Sequence, residues 1–110
     1  MQVFHSKKGQ DGKALEMACG NCYVSRQLLS KYFSRIEFLD QAQNARLEVE
    51  KFQKDFPHVA TKFYHQTMQS FHTTSKYNCI VLRYCIGYLD KVEAKTVLER
   101  LGRMLHQEKS

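Results

Sequence analysis

A glycine and a carboxylate stand out for what they could do together. Gly20 closes the apolar run 14–18, and Asp40 follows it by 20 positions, at the end of a second apolar run, 36–39. A carboxylate at the end of a strand can accept both hydroxyls of a ribose, and a glycine turn beside it lets the ligand approach the backbone. Nucleoside cofactors are held by such a pairing. An aspartate after a strand is also a good helix cap, and the spacing leaves both roles open.

The thiols and imidazoles are less well arranged. Cys19 and Cys22 form one CxxC pair, but Cys79 and Cys85 are six apart, so the second pair of a zinc site is missing. As a redox pair, Cys19 and Cys22 have the strand-then-helix setting of a thioredoxin-type motif, with Gly20-Asn21 between them instead of a Gly-Pro-type interior. His58, His65 and His72 recur every seven residues but straddle a strand and a loop, not one helix face. No metal site is expected. Tyr32, Phe33, Phe63 and Tyr64 lie among lysines and arginines and could stack on bases, although their spacing suits a core.

Composition bounds the rest. The chain has 110 residues, room for one domain or part of one. Its 43% apolar and 25% charged residues exclude a wholly disordered chain. A net charge of +6 and a pI near 9.2 favour anionic partners, nucleic acid among them, although the basic residues are spread along the chain. No apolar run approaches the roughly 20 residues of a membrane span. The N-terminus lacks the apolar stretch of a secretory leader. That points to an intracellular chain, cytoplasmic or nuclear with an organelle left open, and to reduced thiols.

The elements that must position these residues alternate. Residues 1–12 read as a polar lead-in and 13–110 as the folded unit. Strands are expected over 14–18, 36–40, 59–66 and 77–83, the last almost continuously apolar, as a strand buried on both faces would be. Val24, Leu28, Leu29 and Phe33 lie at helical spacing, as do Ala45, Val49, Phe52 and Phe56 in a helix from about Ala42 to Phe56 that Pro57 stops. A last helix starts at Asp90 as N-cap and carries Ala94, Val97, Leu98, Leu101 and Leu105 on one face. Alternation of this kind implies a mainly parallel sheet, with the ligand beyond the carboxyl ends of its strands.

These residues also carry a family resemblance. The segment Ala14-Leu15-Glu16-Met17-Ala18-Cys19-Gly20-Asn21-Cys22-Tyr23, running on to Leu28-Leu29, resembles the first motif of class I S-adenosylmethionine methyltransferases. It is most similar to that of the protein α-N-terminal methyltransferases, which act on Xaa-Pro-Lys chain starts. Ile36–Asp40 resembles their second strand with its ribose-binding acid, 64–71 their segment near the adenine, and 77–90 the block that ends in Ile86-Gly87-Tyr88-Leu89-Asp90. The resemblance implies a Rossmann-like α/β half-sheet in strand order 3-2-1-4 with flanking helices. It implies S-adenosylmethionine as cofactor, held by Gly20, Asp40, Met68 and Gln69, and a protein N-terminus as methyl acceptor.

Departures from the family pattern carry as much information. Ala18 and Cys22 stand where the first motif has glycines, and Tyr23 where it has the arginine that meets the methionine carboxylate. A Cβ narrows the ligand's approach and penalises positive φ. A charge-assisted hydrogen bond contributes about 1.5–3 kcal/mol, so losing the arginine alone is expected to weaken cofactor binding roughly 10–100-fold. Tyr88 occupies the family's catalytic-site histidine position, and a phenol titrating near about 10 is a poor base at neutral pH. The resemblance therefore implies a degenerate, non-catalytic chain, with an active methyltransferase or a cofactor-free structural subunit as the alternatives. The family's sheet continues beyond a fourth strand, whereas this sequence ends after the helix that follows it. Cys79–Arg83 is thus expected to be an exposed edge that another protein chain covers.

Overall fold

A computed structural model describes residues 2–5, 12–82 and 89–105. Five strands, β1 (Gln2–His5), β2 (Lys13–Met17), β3 (Arg35–Asp40), β4 (Ala60–His65) and β5 (Cys79–Leu82), form one sheet in the order β1-β5-β2-β3-β4. Among the described residues three α-helices accompany them: α1 (Tyr23–Gln27), α2 (Ala45–Asp55) and α3 (Lys91–Met104). Strands β2 to β5 are parallel, so the expected 3-2-1-4 Rossmann-like arrangement is present. Asp40 pairs with His65 at the carboxyl end of the β3–β4 ladder, and Met17 with Leu39 at that of β2–β3.

The N-terminal stretch read as a lead-in departs from expectation. Gln2–His5 forms β1, which runs antiparallel to β5 from Gln2↔Leu82 to His5↔Cys79. The edge of Cys79–Leu82, expected to be open, is therefore covered by the chain's own backbone. On the side of Cys79–Leu82 away from β2, the backbone donors and acceptors can be satisfied by any extended segment, and Gln2–His5 of the same chain does so. Arg83, the last residue of the expected strand, lies outside the described residues.

Strand β5 is buried on both faces, as its unbroken apolar run requires, and so is β2 from Ala14 to Met17, Glu16 included. On one face α1 and α2 cover Ala14, Ile36, Phe38 and Val81. Ala45, Val49 and Phe52 of α2 are buried at the expected spacing, and Phe52 meets Phe38 edge-on at 5.3 Å. On the other face Val97, Leu101 and Met104 of α3 pack on Leu15, Leu39 and Ile80. Asp90 caps α3, its Oδ1 accepting the Glu93 N–H at 2.8 Å. The first helix is shorter than its periodicity suggests. It ends at Gln27, Leu28 turns out of helical geometry (φ −136°), and a 3-10 turn over Leu29–Lys31 follows. This tighter turn brings Leu29 into the core and leaves Leu28 outside.

Two polar contacts lock the far end of the sheet. Asn78 Oδ1 accepts the Lys13 N–H at 3.0 Å, while the Asn78 N–H donates to the Lys13 carbonyl at 2.8 Å. Asn78 packs so closely on Gly12 that a Cβ there would sit 1.6 Å from Oδ1. Glu37 Oε1 accepts from the hydroxyls of Tyr77 at 2.6 Å and Tyr64 at 2.9 Å. Burial first, then this carboxylate, holds both phenols protonated above their usual range. No helix among the described residues is long and apolar enough to cross a membrane.

Candidate functional site

The loop leaving β2 carries three left-handed residues in five: Ala18 (φ +55°), Gly20 (φ +50°) and Cys22 (φ +62°). Such angles suit glycine, and each of the two residues with a Cβ costs about 1–2 kcal/mol there. The turn is imposed from several sides. The Cys19 N–H extends the sheet to the Leu39 carbonyl at 3.1 Å, and the Cys22 N–H closes on the Cys19 carbonyl at 2.7 Å. Below the loop, the buried Glu16 carboxylate accepts from Ser25 twice, from Oγ at 2.6 Å and from the backbone N–H at 3.0 Å. This bond fastens the first turn of α1 to the end of β2.

Gly20 and Asp40, chosen from sequence for their spacing, meet directly. The Gly20 N–H donates to Asp40 Oδ2 at 2.9 Å, and the Ala42 N–H donates to Oδ1 at 2.8 Å. The second bond is a local turn rather than a helix cap, because α2 starts only at Ala45 with Asn44 as its N-cap. A carboxylate offers about four acceptor positions, so two backbone donors leave room for a vicinal diol. Gly20 is exposed, and a Cβ built on it meets nothing within 4 Å.

Met68 and Gln69 stand at the neighbouring strand end. The Gln66 N–H donates to the Asp40 carbonyl at 3.2 Å, and a Thr67–Ser70 turn carries the chain through Met68 and Gln69. Met68 is half-buried against the α3 cluster and Gln69 is exposed. The loop between β3 and α2 is tied to β4 by His65, whose Nε2–H donates to the Gln41 carbonyl at 3.0 Å. Tyr23 opens α1 beside the loop, half exposed. Tyr88 and Gly87 lie outside the described residues, as do Tyr84 and Cys85.

Cys19 is not set up as a reactive thiol. Cys19 and Cys22 are buried thiols. Hydrogen bonding to Cys22, then burial, then the nearby charges including Asp40 and Glu16, raise the Cys19 thiol far above its usual range. A thiol held protonated is a poor nucleophile and a poor metal ligand. Among the described residues, no three His, Cys, Asp or Glu side chains come together as metal ligands. His58 faces the Ser30 carbonyl at 3.4 Å, remote in the fold from the contact His65 makes with Gln41.

Two residues that hold the loops around this site escaped the sequence reading. Glu16 is a carboxylate inside an apolar strand, which is itself the signal of a buried partner. Arg100 reaches from α3 to the loop after β4, its Nη1 meeting the carbonyls of Gln69 at 2.6 Å, Phe71 at 3.3 Å and Met68 at 3.5 Å.

No protein-family model matches the chain, and no curated protein matches it at a significant level. Solved structures do. The N-methyltransferase NodS from Bradyrhizobium japonicum, in complex with S-adenosyl-L-homocysteine, is similar over 89% of this chain and 49% of its own, at 20% identity and a TM-score of 0.74. An S-adenosylmethionine-dependent methyltransferase from Clostridium acetobutylicum is similar over 86% of this chain and 39% of its own, at 18% identity and a TM-score of 0.75. DhpI, in a complex with SAM and HEP, is similar over 92% of this chain and 45% of its own, at 18% identity and a TM-score of 0.73. The chain spans less than half the length of each of these structures. What it shares with them is the fold, that of class I S-adenosylmethionine-dependent methyltransferases.

Proposed function

We propose that this chain is a methyltransferase-like domain, related to the protein α-N-terminal methyltransferases, that retains the nucleoside half of an S-adenosylmethionine site and is not itself catalytic. The observation that carries the reading is the Asp40 carboxylate, held by the N–H groups of Gly20 and Ala42 at the carboxyl ends of the strands and still able to accept a diol. Asp40 would hold the ribose hydroxyls, with the backbone at Gly20 and the Met68–Gln69 turn beside them. The methionine half is less well served. Tyr23 brings a neutral phenol where a cationic fork would pair with a carboxylate. When bound, S-adenosylmethionine supplies an electrophilic methyl group, and Tyr88 is a weak base for preparing an amine to receive it.

Calorimetry of the purified chain with S-adenosylmethionine at millimolar ligand tests the site. Binding that Asp40→Ala abolishes is expected, and binding that Asp40→Ala leaves unchanged refutes the assignment. Incubation with an Xaa-Pro-Lys peptide tests the second half of the proposal. Methyl transfer to its free α-amine by this chain alone would make it an active protein α-N-methyltransferase and overturn the non-catalytic reading.

A further inference from the structure

Charge is divided between the two ends of the sheet. The carboxyl end, where Asp40 lies, also carries Glu48, Asp90 and Glu93 against Arg46 and Lys91. At the amino end, the segment leading into β3 meets the end of α2 and the turn that follows it. The Ala60 N–H donates to the Ser34 carbonyl at 2.8 Å, Arg35 pairs with Ala60 in the β3–β4 ladder, and His58 Nε2 meets the Ser30 carbonyl at 3.4 Å. Gln53 Nε2, in the last turn of α2, donates to the carbonyls of Val59 at 2.8 Å and Phe56 at 3.3 Å. These contacts bring Lys31, Arg35 and Lys54 to one end of the molecule. All three are exposed, and none forms an ion pair among the described residues. The acids beside them are committed: Asp55 to Arg26 at 2.7 Å, and Glu37 to Lys13 at 3.5 Å and to the Tyr64 and Tyr77 hydroxyls. Tyr32 stands between Lys31 and Arg35 in the chain. Its N–H is fixed on the Leu29 carbonyl at 3.0 Å, and the residue is 66% exposed.

We propose that this amino end of the sheet is a binding surface for single-stranded nucleic acid, with Tyr32 as a stacking platform for a base and Lys31, Arg35 and Lys54 as partners of the backbone phosphates. Single strands are held by this combination, because every base offers a π-face and every linkage an anion. A duplex hides its base faces and gives Tyr32 nothing to stack on. A lipid surface needs an apolar face to insert, and Leu28 is the one large aliphatic side chain exposed at this end among the described residues. An acidic protein would meet the cations and make no use of the aromatic ring. The chain's net charge of +6 favours encounter with a polyanion. The surface is separate from the ribose site: the run of β3 from Arg35 to Asp40, at about 3.3 Å per residue, puts them roughly 17 Å apart. It therefore stands whether or not Asp40 holds a nucleoside.

Fluorescence anisotropy of a labelled mixed-sequence RNA of about 12 nucleotides, alone and annealed to its complement, tests the surface on the full chain. The single strand should bind about fivefold or more tightly than the duplex. Three phosphate contacts should give its affinity a log–log salt slope of about −2. Tyr32→Ala should weaken single-strand binding about fivefold or more and leave the slope, while Tyr32→Phe keeps the affinity. The triple variant Lys31→Gln, Arg35→Gln, Lys54→Gln should remove most of the slope. Arg46→Gln, Lys91→Gln, Lys95→Gln takes away the same charge elsewhere and should change affinity by no more than about twofold. Equal losses from the two triple variants would mean that net charge alone is at work, and that result overturns the proposal. So does a Tyr32→Ala variant that binds as the unsubstituted chain does, or an unsubstituted chain that binds no RNA. Binding to phosphatidylserine vesicles without binding to RNA assigns the surface to a membrane instead and refutes it equally. If the triple variant at the amino end does not fold, the Tyr32→Ala and Tyr32→Phe pair decides. Asp40→Ala should leave RNA binding intact, and a loss there would move the RNA to the ribose site and remove the role of this end.

Discussion

Ser25→Ala should loosen the loop that carries Gly20, by an amount the geometry allows to be worked out. Ser25 Oγ donates to Glu16 Oε1 at 2.6 Å, with both residues buried. A hydrogen bond to a charged group contributes about 1.5–3 kcal/mol. Ser25 lies within α1, where alanine is the better helix former by about 0.5 kcal/mol, so the net loss is about 2 kcal/mol. The backbone bond from the Ser25 N–H to the same oxygen, at 3.0 Å, survives the substitution. For a chain of this size the midpoint of thermal unfolding should fall by roughly 8 °C. Chemical denaturation of the chain, Ser25→Ala, Glu16→Met and the double variant closes a thermodynamic cycle. In the Glu16→Met background the serine change should cost less than about 0.5 kcal/mol, since the acceptor is gone. A Ser25→Ala loss below about 0.5 kcal/mol, or the same loss in both backgrounds, would refute the claim that this bond fastens α1 to β2.

Three further substitutions follow from particular contacts. Gly12→Ala forces the Asn78 side chain out of its bond to Lys13 and should cost about 3 kcal/mol or more in denaturant unfolding, whereas a loss under about 1 kcal/mol would mean that the close approach is not required. Asp90→Ala removes the bond to the Glu93 N–H and should cost about 1 kcal/mol, with Asp90→Ser recovering most of it. Burial pushes the Cys79 thiol from 9.0 up to about 11, so its contribution is complete below pH 9 and is lost as pH rises towards 11. The stability advantage of the chain over Cys79→Ala, measured under reducing conditions, should shrink by about 2–3 kcal/mol between pH 8 and 11, and a pH-independent difference would count against burial of that thiol.

The parts of this fold that were legible in the sequence are those that local chemistry decides. The apolar run of β5 read as a central strand and that of 14–18 as a strand, the spacing of Ala45, Val49 and Phe52 read as a helix face, and Asp90 announced α3. Gly20 and Asp40 were legible because a parallel βαβ unit sets their separation. The parts that were hidden depend on tertiary pairing. Gln2–His5 is too short to show a pattern, and it is a strand only because β5 offers an edge. The break at Leu28 follows from where Leu29 must go, which propensity does not record. Arg100 and its carbonyls are 29–32 positions apart, and a guanidinium near a helix end looks the same whether it meets solvent or a loop.

The loop between β2 and α1 separates the shape of a site from the residues that make the shape easy. Positive φ at Ala18 and Cys22 costs about 1–2 kcal/mol each, so the turn needs at least about 2–4 kcal/mol of restraint from its surroundings. The restraint is visible. Leu39 holds Cys19, Cys19 holds Cys22, Glu16 holds Ser25 from below and Asp40 holds Gly20 from above. At about 1 kcal/mol for each neutral bond and more for the two that involve carboxylates, these contacts exceed the strain. The backbone therefore takes a course that suits glycine with alanine and cysteine at positions 18 and 22. A methyl group and a thiol are carried by a loop that closes on Asp40. The fold and the carboxylate's geometry can outlast a loss of affinity at the loop, because they are maintained by contacts with the sheet that no ligand supplies. That is why ligand binding and stability should respond to different substitutions here: Asp40→Ala to the first, Ser25→Ala to the second.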